Sequence, residues 1–295
     1  MKESIWNEDN IGNLTGKIVV ITGSTSGIGK QAAQVMAEKN AKVIMAIRNL
    51  TKGAEVISEI KKKKPDADIL MKELDLSSLD SVKTFSEELK TELDHIDVLI
   101  NNAGIMMCPE SKTKDGFELQ FGTNHLGHFA LTGRLLPLLK ENSRVVVLSS
   151  QGHRAGKLNL DDLNYEKRKY NPNQVYFDSK LANLYFAYEL AEKLKSKKVE
   201  VTAAHPGWTA TDLQKHSGLL SFLNGFFAQG PDMGALPTLR AAFDQDASSG
   251  DYYGPAKFLE MRGNPIKVKS NKLSYNSLIA KELWSRSEQM TGVSF

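Results

Sequence analysis

Residues 17–29, KIVVITGSTSGIG, are the stretch that decides the fold. The run 17–22 is short, apolar and β-branched, which predicts a strand covered on both faces. Three glycines follow in the turn: Gly23, Gly27 and Gly29. Residues 30–39 have the composition and apolar spacing of a helix. Such a turn lets the backbone approach a phosphate, and the positive helix end favours that anion. The stretch therefore predicts a dinucleotide-binding turn, although an ordinary strand-to-helix turn could carry the same glycines.

Strand and helix patterns alternate along the rest of the chain. Further strands are predicted at 42–47, 69–73, 98–100, 144–148 and 199–204. Further helices are predicted at 51–63, 78–93, 117–139 and 176–195. Because no linker-like stretch interrupts these units, we expect one α/β domain with a single-domain Rossmann fold. Its doubly wound parallel sheet should have about seven strands with helices on both faces. The domain should cover residues 14–295, after an N-terminal extension at 1–13.

Composition excludes several classes of protein. With 41% hydrophobic and 25% charged residues, the chain can bury a sizeable core. A net charge of +3 is too small to indicate nucleic-acid binding, and the basic run 61–64 is typical of a solvated helix end. Cys108 is the only cysteine, so no intrachain disulfide is possible. Without a signal-peptide pattern or an apolar run of about 18 residues, no membrane span is predicted and a cytoplasmic protein is expected.

Polar residues or glycines follow each predicted strand. The strand-end segments that contain them comprise Arg48, Asn49, Asp75, Leu76, Asn101, Asn102, Ala103, Gly104, Ser149, Ser150, His205, Pro206 and Gly207. In an open parallel sheet, ligands bind outside the carboxyl ends of the strands. We therefore expect these residues to converge on one crevice.

The order of these motifs resembles the short-chain dehydrogenase/reductase family. The glycine turn is followed by NNAG at 101–104, then by Asn124, Ser150, Tyr176 with Lys180, and PGWTAT at 206–211. The resemblance covers roughly residues 14–258. The segments GTNHLGHFALT at 122–132 and KLANLYFAYELAEKL at 180–194 are most similar to the retinol-dehydrogenase-like branch.

The resemblance implies a reaction and a set of site residues. An NADP(H)-dependent oxidoreductase is expected, interconverting a hydrophobic alcohol and its carbonyl compound by hydride transfer. The catalytic residues should be Asn124, Ser150, Tyr176 and Lys180. The cofactor should contact Gly23, Ser24, Ser26, Gly27, Ile28, Gly29, Arg48, Asn49, Asp75, Leu76, Asn102, Ala103, Gly104, Tyr176, Lys180, Pro206, Gly207, Thr209 and Thr211.

The proton chemistry can be argued from Tyr176 and Lys180. A free tyrosine has a pKa near 10, and Lys180 lies one helical turn further on the same face. A neighbouring ammonium should lower the pKa of the phenol toward the working pH. Ser150 can hold the substrate oxygen, and we expect Ser149 to be a structural hydroxyl. The family resemblance implies that Lys180 also binds the nicotinamide ribose and that Asn124 belongs to a water-linked proton path.

The end of the second strand bears on the choice of cofactor. NAD-binding chains usually place an acid there, whereas this chain has Arg48 and Asn49. An arginine can pair with a 2′-phosphate, so NADP(H) is favoured over NAD(H). The alternative is that Arg48 stacks on the adenine. By resemblance, Asp75 contacts the adenine amino group.

Other features receive structural interpretations. His125 and His128 lie three positions apart on a predicted helix without a third ligand at a suitable spacing, so no metal site is expected. Met106, Met107 and Cys108 are expected to line a pocket or the core. An insertion at 156–173 lengthens the stretch between Ser150 and Tyr176 and should lie near the pocket mouth.

The apolar stretch LQKHSGLLSFLNGFF at 213–227 has three interpretations. It could touch a membrane, form an oligomer contact or close over the substrate. By resemblance, a substrate lid around 209–230 is expected. A homodimer or homotetramer is possible.

The competing function is a non-catalytic NADP(H)-binding sensor, but such a sensor would not need the proton donor that Tyr176 provides.

Overall fold

The apolar runs of the sequence become strands of one sheet in the computed structural model, which describes residues 5–209 and 229–295. The strands are β1 Ile18–Thr22, β2 Lys42–Ile47, β3 Ile69–Glu73, β4 Ile96–Asn101, β5 Leu139–Leu148, β6 Glu200–Ala204, β7 Tyr252–Lys257 and β8 Arg262–Val268. Their order is β3-β2-β1-β4-β5-β6-β7-β8. The first seven run parallel, and β8 pairs antiparallel with β7. The predicted doubly wound, mainly parallel sheet is confirmed.

Helices cover both faces of this sheet. They are α1 Gly27–Glu38, α2 Leu50–Lys63, α3 Leu79–Glu92, α4 Leu119–Phe121, α5 Gly127–Leu135, α6 Pro172–Leu194, α7 Pro231–Phe243 and α8 Ser277–Thr291. Val19 and Ile21 of β1 pack with α1, α2 and α7, whereas Val20 packs with α3, α5, α6 and α8. Because successive strand residues point to opposite faces, a strand buried on both sides must be apolar throughout.

The predicted long helix at 117–139 is observed as one continuous helical run from Leu119 to Leu138, with a π-helical turn inside it. The chain there forms α4, a π-helical turn at Gly122–Leu126, α5 and a 3-10 turn at Leu136–Leu138, and β5 begins at Leu139. A side chain on Gly122 or Gly127 would collide with neighbouring segments, so these glycines allow close packing along the turn. This packing depends on tertiary contacts, which the local pattern of apolar residues does not predict.

The hairpin of β7 and β8 completes the sheet and lies beyond the strands located from sequence. In β8, with the sequence RGNPIKV, Pro265 is the buried residue. An edge strand of this composition lacks the apolar run that identifies the central strands. The helices α7 and α8 also lie beyond the predicted elements.

The described part of the predicted N-terminal extension packs against the domain. Trp6 and Ile11 are buried in the same hydrophobic cluster as Val19 of β1. The main-chain oxygen of Trp6 accepts a hydrogen bond from the Asn264 side chain at 3.2 Å. The domain boundary at residue 14 stays a prediction.

Most of the predicted lid, residues 210–228, lies outside the described residues, including the apolar side chains of Leu219, Leu220, Phe222, Phe226 and Phe227.

An aromatic cluster fixes α8 against the helices that carry the candidate site. The Trp284 ring of α8 lies 5.0 Å from that of Phe129 on α5 and 5.9 Å from that of Phe186 on α6. It also lies 4.5 Å from the ring of Phe295 near the chain end. Because Trp284 is 4% exposed, its removal would leave a large cavity.

We predict that Trp284→Ala lowers the free energy of unfolding by about 3–5 kcal/mol, the usual cost of emptying a buried aromatic site. Urea denaturation followed by circular dichroism measures the change. Leu278→Ala is the matched control, because Leu278 lies on the same helix and is 77% exposed. The control should change stability by about 0.5 kcal/mol or less. Equal effects of the two variants would contradict the role of the cluster.

Candidate active site

A cavity of about 780 Å³ lies at the carboxyl ends of the central strands. Its lining joins the glycine turn after β1, the ends of β2 and β3, the turn after β4 and part of α6. The predicted site residues in its wall are Gly23, Ser26, Gly27, Ile28, Gly29, Arg48, Asn49, Asp75, Leu76, Asn102, Ala103, Gly104, Tyr176, Lys180 and Pro206. These segments, together with Ser149 at the end of β5 and Pro206 after β6, meet around one space, as the polar strand ends predict.

A second cavity of about 370 Å³ adjoins the first. Tyr176, Ile28 and Pro206 line both cavities. Ser150, Gly207 and Thr209 line the second, whereas Ser24 and Asn124 are buried behind the walls. Thr211 lies outside the described residues. The predicted residues thus divide between two connected cavities that share the Tyr176 side chain.

The glycine turn packs tightly against the turn after β4. Gly23 has a φ of 68°, and a Cβ on it would lie 2.7 Å from the Cβ of Ala103. A Cβ on Gly29 would lie 2.5 Å from Nδ2 of Asn102. These two glycines are therefore required for contact between the turns, besides any close approach to a ligand. Ser26 is the N-cap residue of α1 and makes no side-chain capping hydrogen bond, which leaves N–H groups at the helix N-terminus for an anion.

The hydroxyl of Thr22 connects the two turns and a buried histidine. It accepts hydrogen bonds from the N–H groups of Asn102 and Ala103, both at 2.9 Å. It also lies 2.9 Å from Nε2 of His128. Since Nδ1 of His128 lies 2.9 Å from the main-chain oxygen of Asn124, we assign the proton to Nδ1. Thr22 then donates to Nε2, and every polar atom in the group has a partner.

Asn124 lies in the π-helical turn and holds the segment after NNAG. Its side-chain oxygen accepts from the N–H of Ile105 at 2.8 Å, and its amide donates to the Ile105 carbonyl at 2.9 Å. The amide also contacts the Ser179 hydroxyl at 3.0 Å, which in turn donates to the Tyr176 carbonyl. π-Helical turns often occur at functional sites. Here the turn places the Asn124 amide against Ile105 of the cavity wall and against Ser179 of α6.

Tyr176, Lys180 and Ser150 meet where the cavities join. The Lys180 ammonium lies 5.8 Å from the centre of the Tyr176 ring and 3.4 Å from the Leu148 carbonyl. The neighbouring Ser149 hydroxyl donates to the Lys180 main-chain oxygen at 2.8 Å, which is a structural contact. Ser149 lines the first cavity, whereas Ser150 shares the second with the Tyr176 ring.

Burial controls the protonation of this group. Desolvation lowers the pKa of Lys180 to about 8. It also raises the pKa of Tyr176, while a hydrogen bond with Ser150 acts in the opposite direction. The prediction that the Tyr176 pKa is lowered is therefore wrong. Burial penalises the phenolate more than the neighbouring groups favour it.

The end of β2 places several polar groups in the first cavity. Arg48 is exposed there, while the Asn49 side chain caps α2 by accepting from the Lys52 N–H at 2.9 Å. Lys52 lines the same wall as Arg48 and is not among the site residues predicted from sequence. Its position in the first turn after a strand end could have indicated this location.

Asp75 already has partners within the chain. Its carboxylate accepts from the N–H and hydroxyl of Ser77 at 3.0 and 2.7 Å, and it lies 3.3 Å from the Lys114 ammonium. Burial acts to raise the pKa of Asp75, but these hydrogen bonds and the lysine together lower it. Asp75 is therefore an ionised group in the cavity wall.

The second cavity is predominantly apolar. Its wall includes Met106, Met107, Phe177, Trp208, Leu259 and Met261. The predicted lining role of the two methionines after NNAG agrees with this placement. The contributions of Phe177, Leu259 and Met261 come from distant parts of the sequence, and no local motif indicates them.

The insertion at 156–173 lies against this region. The Tyr165 hydroxyl and the Lys157 N–H both contact the buried carboxylate of Asp178 on α6 at 2.6 Å. The Tyr170 hydroxyl contacts the main-chain oxygen of Cys108 at 3.2 Å. These bonds join the insertion to α6 and to the segment that carries Met107, beside the second cavity.

The remaining candidate residues, the two histidines and the cysteine, make contacts that are structural. Nε2 of His125 lies 2.9 Å from the Ser287 hydroxyl, while both nitrogens of His128 contact the groups described above. Within residues 5–209 and 229–295, no group of three or more His, Cys, Asp or Glu side chains could hold a metal ion. Burial raises the pKa of Cys108, which disfavours the reactive thiolate.

The geometry agrees with comparisons to known proteins. The short chain dehydrogenase family model matches residues 17–219. The chain belongs to this family of oxidoreductases. Retinol dehydrogenase 11 of Homo sapiens is 39% identical over 287 residues, covering 95% of this chain and 87% of the relative. Retinol dehydrogenase 12 of Mus musculus is 40% identical over 287 residues, covering 95% and 88%. This confirms the similarity to the retinol-dehydrogenase-like branch.

Solved structures support the same fold. A protein of uncharacterised function from Mycobacterium Paratuberculosis is 38% identical, with a TM-score of 0.84 and 99% of both chains covered. A short chain dehydrogenase from Burkholderia cenocepacia, solved in complex with NADP, is 20% identical with a TM-score of 0.66. That comparison covers 82% of this chain and 96% of the other. At this lower identity the similarity shows the fold alone.

Among the described helices of this short-chain dehydrogenase, none combines the length and apolar composition that crossing a bilayer requires.

We predict that Lys180 loses its proton near pH 8 in the unliganded protein, because burial lowers its pKa from 10.5 to about 8. The ammonium should predominate below that pH and the neutral amine above it. Titration of ¹³C-methylated lysines by NMR measures the change. The matching signal should disappear in Lys180→Arg, which assigns it. A Lys180 signal that titrates only above pH 10 would contradict the prediction.

Proposed function

We propose that this chain is an NADP(H)-dependent oxidoreductase that interconverts a hydrophobic alcohol and its carbonyl compound. The observation that carries the proposal is that the Tyr176 side chain lines both cavities. One cavity begins at an uncapped helix N-terminus, and the other is apolar and includes Ser150. A phenol between them can exchange a proton with a substrate while the other cavity holds a dinucleotide.

The first cavity suits a dinucleotide phosphate. The start of α1 lines it and leaves main-chain N–H donors for an anion, while Gly23 and Gly29 avoid a bulky side chain in the turn. Its volume of about 780 Å³ is in the range of small-molecule sites. Arg48 and Lys52 supply cations at the end of β2 that suit the additional phosphate of NADP(H).

The proton step is assigned to Tyr176. A bound nicotinamide supplies or accepts the hydride. In the reducing direction, the Tyr176 hydroxyl donates a proton to the substrate oxygen, while Ser150 holds that oxygen by hydrogen bonding. In the reverse direction, the phenolate accepts the proton from the alcohol. Because burial raises its pKa, Tyr176 remains protonated before catalysis, as a general acid requires.

Lys180 and Asn124 support this step in different ways. Lys180 carries a positive charge below its pKa of about 8 and favours the phenolate when Tyr176 gives up its proton. It is also assigned the contact with the nicotinamide ribose. Asn124 positions Ile105 and Ser179 of α6 through its side-chain amide. Its proposed place in a water-linked proton path rests on the family resemblance.

The substrate is assigned to the second cavity. Three methionines, Phe177, Trp208 and Leu259 make much of its wall apolar. Methionine side chains adapt to irregular shapes, so this wall suits bulky apolar carbonyl compounds. The relatives' name, retinol dehydrogenase, is consistent with a substrate of this class.

We predict that Tyr176→Phe lowers turnover by about 10²–10⁴-fold, as expected for loss of a general acid. Binding of NADPH should remain nearly unchanged, because the ring and its packing are kept. Nicotinamide absorbance with 2-naphthaldehyde measures turnover, and calorimetry measures binding. Tyr185→Phe is the matched control on the same helix; Tyr185 is buried away from both cavities and should be dispensable for turnover. Retained turnover in Tyr176→Phe would assign the proton donor elsewhere.

We predict that Arg48→Ala weakens NADPH binding by about 1.5–3 kcal/mol, the value of a hydrogen bond to a charged group. NADH binding should change little, because it lacks the 2′-phosphate. Calorimetric titration with both nucleotides tests this difference. Arg286→Ala is the control because Arg286 lines neither cavity. Equal losses for NADPH and NADH would favour adenine stacking by Arg48, and tighter wild-type binding of NADH would exclude the NADP(H) preference.

A further inference from the structure

The turn between β7 and β8 has an unusual backbone. Phe258, Leu259 and Glu260 have φ values of 52°, 55° and 63°. The left-handed conformation costs free energy in residues that carry a Cβ, and three such residues in succession are uncommon. A conformation of this kind persists where surrounding contacts hold it. The contacts of this turn therefore indicate what keeps it in place.

The Glu260 carboxylate makes most of those contacts. It lies 3.0 Å from Nη2 of Arg154 and 3.1 Å from Nε2 of His205. It also accepts from the Gln151 side chain at 3.0 Å, and the same amide contacts the Leu259 carbonyl at 3.1 Å. One carboxylate thus joins the turn to the segment after Ser150 and to the residue after β6.

Two hydrogen bonds extend this connection to the Pro-Gly segment. The N–H of Gly207 donates to Nδ1 of His205 at 3.2 Å, so the His205 proton is assigned to Nε2, which donates to Glu260. On the other side of the turn, the carbonyl of Met261 accepts from the N–H of Trp208 at 2.9 Å. The turn and residues 205–208 are therefore held together at two points.

The residues on either side of Glu260 line the second cavity. Leu259 is 87% exposed and forms part of the rim, whereas Met261 is half-buried. Ser150 and Tyr176 line the same cavity. Displacement of the turn would therefore change the space beside the groups assigned to catalysis.

We propose that Glu260 is a positioning residue that holds Leu259 and Met261 as a size-selecting wall of the substrate cavity. This proposal rests on the proposed function, because it assigns the second cavity to the substrate. Glu260 determines how well bulky substrates are held, while Tyr176 and Ser150 act on the carbonyl itself.

The catalytic serine retains a separate support when Glu260 is removed. Nδ1 of His153 donates to the Ser150 carbonyl at 2.6 Å, and Nε2 of His153 accepts from the Asn271 N–H at 3.2 Å. Neither bond involves Glu260. A small carbonyl compound that makes little contact with Leu259 and Met261 should therefore remain a substrate after Glu260→Ala.

The test compares wild type with Glu260→Ala, Glu260→Gln and the exposed control Glu282→Ala. For Glu260→Ala, kcat/KM for 2-naphthaldehyde should fall by about tenfold or more, as misplacement of a supporting group can cause. The corresponding value for propanal should change by less than about threefold. The loss in kcat/KM should appear as an increase in KM. Glu260→Gln should restore much of the wild-type kcat/KM, because glutamine keeps an acceptor for His205.

Hydrogen–deuterium exchange measured by mass spectrometry provides a readout independent of turnover. Exchange at Trp208 and in peptides covering 257–263 should increase in Glu260→Ala and remain unchanged in Glu282→Ala. Unchanged exchange, or equal kinetic losses for both aldehydes, would overturn the proposal. If wild type reduces neither aldehyde while exchange still increases, the proposed function fails although Glu260 positions the turn.

Discussion

The Thr22 hydroxyl is the contact on which the candidate site depends. Two N–H groups from the turn after β4 converge on it, and it donates to His128 on α5. A buried hydroxyl has one proton and two acceptor positions, so these partners satisfy it completely. Removing one partner would leave a buried polar group unsatisfied, which is costly. The two turns that form the first cavity are therefore fixed relative to each other before any ligand binds.

The same constraint extends to α6 through the π-helical turn. His128 contacts the Asn124 carbonyl, and the Asn124 amide reaches Ser179, one residue before Lys180. The Lys180 ammonium can thus be kept at a buried position despite the cost that lowers its pKa. A buried lysine with a pKa near the working pH responds strongly to a neighbouring negative charge. The proposed mechanism requires this property of Lys180, because it assigns to Lys180 the stabilisation of the Tyr176 phenolate.

Much of the fold and part of the site could be predicted from sequence because their signals are local. The strand at 17–22 is buried on both faces, and the spacing of Tyr176 and Lys180 is one helical turn. The π-helical turn inside the helix at 117–139, by contrast, packs Gly122 and Gly127 against distant segments. Leu259 and Met261 likewise reach the second cavity only through the pairing of β7 and β8. Neither relation is encoded in a short apolar pattern.

The protonation of the site shows why a motif alone does not determine its chemistry. The spacing of Tyr176 and Lys180 predicts a phenol with a lowered pKa, yet burial raises the Tyr176 pKa and lowers that of its partner. Desolvation acts on both groups and opposes the charged form of each. The unliganded pair therefore favours neutral phenol, the form needed for donation to a carbonyl. For alcohol oxidation, additional stabilisation of the phenolate is required, and Lys180 can provide it only while it remains protonated. In the proposed mechanism, proton transfer therefore involves the charge of Lys180 as well as the phenol of Tyr176.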